Sequence, residues 1–252
     1  MKCFVLLIAI VLTASAVPAQ KVLPQLEAYT SGGLFFEKLN TDTLVPSARR
    51  NKQRLGDVSS FGLQLVLQPA KDRWLIKGGI GFSLRHYSMN KYSIGDFFTS
   101  LFLFDAPARR DTTTISYVRL TNKYLQIPVS VAYRLAGSAT STAALTAGVN
   151  LRNDFLLSSQ AQVNFDAAYL QPTAATVNGF KDLYTKNAAT YALTVEPYIQ
   201  GSVLIYKGLG LFMQVRPFSF YASRLENRFT SSTTELIGGT VGIVYQFGGW
   251  KR

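Results

Sequence analysis

The sequence is poor in the residues on which many exported and many catalytic proteins depend. It has one cysteine, Cys3, and one histidine, His86. Cys3 lies in an N-terminal stretch that reads as a leader, so the rest of the chain has no thiol. Disulfide staples and a Cys/His metal centre are therefore excluded, and the carboxylates show no calcium-loop spacing. Charged residues make up 16% of the chain, below the quarter or so of a soluble domain, which argues against an ordinary solvated surface. Yet after the leader no run of about 18 apolar residues exists from which to build a spanning helix. Glycine pairs at 32–33, 78–79, 238–239 and 248–249 lack the lysine and the strand-to-helix context of a phosphate loop. A chain this apolar must place its oily surface in some other way.

The leader is MKCFVLLIAIVLTASAVPAQ. Lys2 supplies the positive start, Cys3 to Leu12 the apolar run, and small residues follow. This is the layout of a secretory signal peptide, with cleavage expected after Ala19 and Ala16 the alternative. The expected organisation is a signal peptide over 1–19 and one domain over 20–252. The net charge of +12 could suggest nucleic acid, but export makes anionic lipid or acidic glycans the better partners.

Strict alternation dominates what remains. In KYLQIPVSVAYRL, residues 123–135, Leu125, Ile127, Val129, Val131, Tyr133 and Leu135 share one face of an extended strand. Tyr124, Gln126, Pro128, Ser130, Ala132 and Arg134 share the other. Eight such segments recur, at roughly 26–38, 59–69, 74–88, 123–135, 141–156, 190–206, 209–221 and 235–247. The connections alternate long and short: 39–58, 89–122, 157–189 and 222–234 are long, whereas 70–73, AGSAT and Lys207-Gly208 are tight. That rhythm predicts an all-β, eight-stranded antiparallel up-and-down transmembrane β-barrel with short periplasmic turns and long outer loops. Both termini fall on the periplasmic side.

The faces decide which way the oil points. One face of each segment is aliphatic or aromatic; the other combines glycine, small hydroxyls, amides and full charges. Glycine suits a crowded barrel interior better than a solvated strand. Glu27, Glu37, Asp154 and Glu196 therefore form, with Lys77, Arg85, Arg134, Arg152 and Arg216, an expected lumen charge network, and the oil faces outward. Pro128, Pro197 and Pro217 stand against this, since each removes a ladder donor where no edge is free.

The residues YLQIP, the following VSVAYRL and the closing GGTVGIVYQFGG resemble the strand patterns of PorT-like outer-membrane barrels, a family common in Bacteroidota. The resemblance implies a small barrel in the outer membrane of a Gram-negative bacterium. Some relatives are components of protein secretion and gliding machinery, and most have no assigned chemistry.

Three features carry the functional expectations. The basic run SARRNKQR, residues 47–54, reads as a solvated loop by default, with contact of Arg49, Arg50 and Arg54 to lipopolysaccharide phosphates as the alternative. In the loop segment IGDFFTSLFLFDAPARRD, Asp96 could cap a short helix carrying Phe97, Phe98, Leu101, Phe102 and Phe104. These side chains either simply continue strands three and four, plug the barrel mouth, lie on the membrane interface or form a patch for a protein partner. His86 has the parity of Ile76, Phe82 and Leu84, so it points to the lipid side near the outer rim rather than into a catalytic cluster. The chain is therefore read as a non-enzymatic structural or protein-interaction component. It needs no cofactor or metal, binds no nucleic acid, and has outer-membrane lipid and lipopolysaccharide as its surroundings. A soluble lipocalin-like carrier and an outer-membrane enzyme acting at the extracellular rim are the alternatives. Asp96, Asp105, Asp111 and His86 are the candidates for the enzyme.

Overall fold

A computed structural model describes residues 22–39, 53–69, 73–93, 113–138, 141–167, 174–186, 188–226 and 230–247. The leader at 1–19 and the segment 94–112 with its phenylalanines lie outside these residues. The described elements are β1 (Val22–Leu39), β2 (Gln53–Pro69), β3 (Trp74–Ser93), β4 (Thr113–Ala136), β5 (Ala143–Ala167), α1 (Ala174–Lys186), β6 (Tyr191–Tyr206), β7 (Leu209–Arg216), β8 (Ser219–Glu226) and β9 (Thr230–Gln246). All strand pairings are antiparallel, and β1 pairs with β9 to close the ring. β7 and β8 lie end to end between β6 and β9, so they form one wall strand interrupted at Pro217 and Phe218. The result is a closed eight-stranded antiparallel β-barrel.

Alternation in the sequence becomes inside and outside in the wall. Tyr124, Gln126, Pro128, Ser130, Ala132 and Arg134 are buried in the lumen. Their neighbours Leu125 to Leu135 line the exterior. The same inversion runs around the ring: Ile80 is 55% exposed and Ile205 64%, whereas Arg85 and Asp154 are 0% exposed. Apolar surface is outside and charge is inside.

Rings mark both ends of this apolar band. At the short-turn end, Trp74 packs on Tyr133 with ring centroids 5.2 Å apart, and Tyr245 on Phe247 at 5.0 Å. Farther up, Phe155 packs on Tyr191 at 5.2 Å and Phe218 on Phe220 at 5.1 Å. Aromatic belts of this kind suit the two boundaries of a bilayer.

The tight turns behave as their sequences require. Lys207 and Gly208 take positive φ of 40° and 87°, the two-residue hairpin geometry whose twist matches the flanking strands. At the other end the strands run beyond the alternating segments, notably in β4 and β5, and the expected long loop at 222–234 contracts to a connection at 227–229. The connection from β5 to β6 contains α1, which packs on β5; the alternation pattern gave no sign of this helix.

The prolines are absorbed in two ways. Along β3–β4 the ladder runs Gly78↔Val129, then resumes at Gly81↔Gln126 in the same register, so Pro128 only silences the pairs beside it. Between β6 and the seventh wall strand, Val195 faces Phe220 and Ile199 faces Val215. A four-residue step thus spans a five-residue one, a bulge in all but name. Pro197 and Pro217 both fall in that lapse. Two residues without an N–H share one interruption instead of making two.

Inward glycines make room for long polar side chains. Tyr29 crosses its neighbours Gly62 and Gly81 and donates its hydroxyl hydrogen to Gln126 Oε1 at 2.9 Å, three strands away. A Cβ on Gly62 would meet Ile80 O at 2.5 Å and the Tyr29 hydroxyl at 2.8 Å, whereas one on outward Gly78 meets nothing within 4 Å. Gly62→Val is therefore expected to lower barrel stability by about 2 kcal/mol through overpacking, with Gly78→Val near neutral. Urea titrations followed by the mobility of unboiled protein on gels would check the contrast, and equal midpoints would refute this packing.

Candidate functional site

The lumen holds the chemistry that the sequence concentrates on its polar faces. Its lower cluster joins three strands. Lys77 Nζ on β3 donates to both carboxylate oxygens of Glu27 on β1 at 3.0 Å and to Gln200 Oε1 on β6 at 2.7 Å. Gln200 Nε2 closes the triangle by donating to Glu27 Oε1 at 2.9 Å. The Lys77 ammonium also lies 5.6 Å from the Tyr198 ring centroid, and Tyr198 and Ser130 share a hydrogen bond of 2.8 Å.

The upper cluster is a chain of five charges. Arg85 donates to Asp154 Oδ2, and Arg152 Nε donates to the same oxygen at 3.1 Å. Arg152 Nη1 then reaches Glu196 Oε1 at 2.5 Å, and Arg216 Nη1 meets that oxygen at 2.6 Å. Asn150 Nδ2 holds the second Glu196 oxygen at 2.6 Å. Three guanidiniums thus share two carboxylates. The surplus positive charge is spread over rings: the Arg85 guanidinium stands 5.2 Å from the Tyr124 centroid and 5.0 Å from that of Tyr221, and it donates to the Tyr221 hydroxyl at 3.0 Å. All five charged side chains are buried.

Other expected members are placed apart. Arg134 lies at the short-turn end, where Nη1 donates to the Ser138 carbonyl. The side chain of Glu37 lies outside the described residues, as do Arg49, Arg50 and the side chain of Arg54. Phe97, Phe98, Leu101, Phe102 and Phe104 fall there too. Sequence reading overlooked Tyr29, Tyr124, Asn150, Gln200 and Tyr221 as partners of the charges. Tyr124 and Gln200 stood on the polar faces already, so parity was the available signal.

Packing fills the remaining space. Leu204, Phe212 and Val244 form a buried apolar cluster toward the short-turn end, with Tyr29 packed against them. Val66, Leu75, Ala132 and Tyr198 form a second apolar group. Between the two charged clusters lies a cavity of about 20 Å³, lined by Lys77, Gln126, Ser130, Asn150, Glu196 and Tyr198 among others. That volume accommodates a water molecule beside polar partners. It does not accommodate a lipocalin-type ligand.

His86 is on the exterior. Its Nδ1 lies 2.9 Å from Asp57 Oδ2, directly across β2–β3, with the histidine 20% and the aspartate 57% exposed. Among the described residues no group of three or more His, Cys, Asp or Glu side chains could hold a metal ion. What the lumen arrangement does chemically is neutralise and stiffen: each acid answers at least two donors from other positions in the wall.

Removing one acid leaves buried guanidiniums uncompensated. Asp154→Asn is expected to cost about 3 kcal/mol, and Glu196→Gln a similar amount. Replacing outward Val241 by Ala should cost much less. Equilibrium urea unfolding of the folded barrel in detergent would measure all three; a midpoint for Asp154→Asn equal to wild type would show that the chain of charges is not a structural element.

No family model and no curated protein matches the sequence. Among solved structures, the chain resembles Neisserial surface protein A (TM-score 0.40, 10% identity, covering 90% of this chain and 97% of that one). It resembles Ail, the attachment invasion locus protein of Yersinia pestis, at a TM-score of 0.36 and 9% identity, covering 90% and 97%. The outer membrane protease OmpT from Escherichia coli follows at 0.30 and 7%, covering 91% and 98%. At these scores the likenesses carry nothing across to this chain.

Proposed function

We propose that this chain is an integral barrel of a Gram-negative outer membrane, exported by the leader at 1–19 and acting without catalysis as a structural or protein-interaction component. One observation carries the reading: a closed ring of apolar side chains surrounds an ion-paired, polar interior. In water that arrangement exposes oil and buries charge, the reverse of what solvation favours. In a bilayer both faces are satisfied, and a closed sheet leaves no unpaired edge in the hydrocarbon. The short turns belong to the periplasmic side and the longer strands to the outside. A lipocalin-like carrier needs an apolar cup, and the charged clusters occupy that space.

The finer assignment to the PorT-like group rests on the resemblance of YLQIP and of the closing strand. It makes a secretion-type assembly the most specific role. In that role Phe97, Phe98, Leu101, Phe102 and Phe104 are the surface offered to a protein partner, and Arg49, Arg50 and Arg54 meet lipopolysaccharide phosphates. The His86–Asp57 pair is read as interfacial rather than catalytic.

The membrane reading predicts that unboiled protein migrates faster than boiled protein on gels and floats with phospholipid vesicles through a density gradient. Extraction by buffer alone would overturn it. Because side chains fill the lumen, planar bilayers should show no large single-channel conductance; currents of porin size would contradict the packing. A photo-crosslinker at Phe102 in intact cells should yield a discrete protein adduct. Adducts to lipid alone would instead assign the loop to the membrane surface.

A further inference from the structure

The strands β4 and β5 do not stop where their apolar faces stop, and the change of character is abrupt. On β4 the outward row reads, toward the long-loop end, Val129, Ile127, Leu125, then Lys123, Thr121, Arg119. On β5 the outward row reads Phe155 and Leu157, then Ser158, Gln160 and Gln162. Between these two regimes the ladder carries a bulge. Lys123 faces Ser158 while Tyr124 faces Leu156, so Leu157 is the extra residue and is 56% exposed. A bulge re-aims the side chains that follow it. Here it puts Leu157 and Ser158 on the same exterior, one closing the apolar band and the other opening a polar ledge.

The ledge is cationic. Arg119 and Lys123 are both exposed, and neither makes an ion pair with a described residue. Thr121 lies between them, and the three span about 13 Å along the strand. The register shows what surrounds them: Leu84 and His86 of β3 face Lys123 and Thr121, and Ser158, Gln160 and Gln162 of β5 face Lys123, Thr121 and Arg119. Among the described side chains on the outward faces of β2 to β5, Asp57 is the one acid, and it is engaged by His86 at 2.9 Å. Among the described residues, nothing in the wall neutralises Arg119 and Lys123.

We propose that this ledge binds the phosphate groups of a lipid of the outer leaflet, of the phosphorylated lipid A class, whose acyl chains lie on Phe82, Leu84, Leu125, Phe155 and Leu157. The inference rests on the membrane reading above and assigns a lipid site that is separate from the loop arginines. Charge complementarity selects an anion, and a guanidinium beside a hydroxyl is a suitable phosphate ligand. The apolar shelf immediately beneath selects an amphiphile over a free anion or an acidic protein patch. Neither of those would use Leu84, Leu125 or Leu157. The amide belt of Gln160 and Gln162 supplies donors for the sugar or phosphate oxygens at the same level.

The test uses the full chain folded in mild detergent micelles doped with bisphosphorylated lipid A, read by native mass spectrometry. Wild type is expected to retain one lipid A molecule, with an apparent affinity about tenfold above that of Arg119→Ser/Lys123→Ser. Lipid A stripped of its phosphates should bind wild type as weakly as intact lipid A binds the double variant. Millimolar inorganic phosphate should not displace the lipid. Equal retention by wild type and variant, indifference to dephosphorylation, or displacement by free phosphate would each overturn the proposal. Both substituted side chains are exposed, and unboiled gel mobility verifies that the variant is folded; Arg119→Gln/Lys123→Gln serves the same comparison. If wild type fails to float with vesicles, the membrane reading itself fails. If it floats and the variants bind lipid A normally, only the ledge is refuted.

Discussion

Everything in this molecule follows from the need to pair every backbone N–H and C=O within the wall. Hydrocarbon offers no substitute partner, and an open edge would leave a row of unpaired groups. The pairing of β1 with β9, from Gln25↔Gln246 outward, removes that edge. The same constraint explains where the prolines sit. A proline in a closed wall always silences a donor, so the damage is least when two silenced positions coincide. Pro197 and Pro217 share one lapse between β6 and the seventh strand. Their immediate neighbours, Glu196 and Arg216, are joined across it by a side-chain bond of 2.6 Å. Where the ladder is missing, an ion pair holds the strands.

Closing so few strands leaves a narrow interior, and the contents of that interior follow from its width. Some inward positions must be glycine so that others can be large, as Gly62 and Gly81 are for Tyr29. The large residues are charged rather than aliphatic, which at first sight sacrifices stability, since buried pairs barely repay their desolvation. The charges have a second effect, on the choice of face. A strand apolar on both sides has no preference for which side meets lipid. In the bilayer proposed above, turning Arg152 outward within the apolar band would cost about 2–4 kcal/mol, so the alternation is fixed by what cannot face lipid. The register then follows, because slipping one residue would turn every charge outward at once.

The fold is legible in the sequence because two simple signals agree: period-two alternation and the rhythm of short and long connections. Lys207-Gly208 reads as a turn from its residue types and its place between two alternating runs, and its positive φ angles are the geometry such a pair adopts. The parts that escape such reading lack those signals. Residues 113–122 of β4 and 157–167 of β5 lack a clean alternation of apolar and polar residues in the sequence, as expected where, in the proposed setting, the strands pass beyond the bilayer and neither face has to be apolar. The helix α1 has a glycine and an asparagine in its interior and is hidden by surrounding loop composition. The lumen partners could be named by face but not by pair. Arg85 and Asp154 are 69 residues apart in sequence, and only the ring's register brings them together.

A barrel filled by its own side chains restricts where binding can occur. The lumen can hold a water molecule, and its polar groups are turned toward one another. Toward the short-turn end, Leu204, Phe212 and Val244 pack together as a buried apolar cluster. What remains is the exterior above the apolar band and the connections at the long-loop end. These are the places where the sequence departs from the rules that govern the wall: Arg119 and Lys123 are charged on an outward face, and β5 carries a bulge at the boundary. In the proposed bilayer an outward charge at mid-depth is costly, so on that reading an outward charge marks the level at which hydrocarbon ends. With no ion-pair partner among the described residues, its counter-charge is assigned, in the proposed lipid site, to the surroundings. In an outer leaflet the nearest dense source of negative charge is lipid phosphate. On the proposed reading, the same physics that keeps the wall apolar also selects the chemistry of its first neighbour.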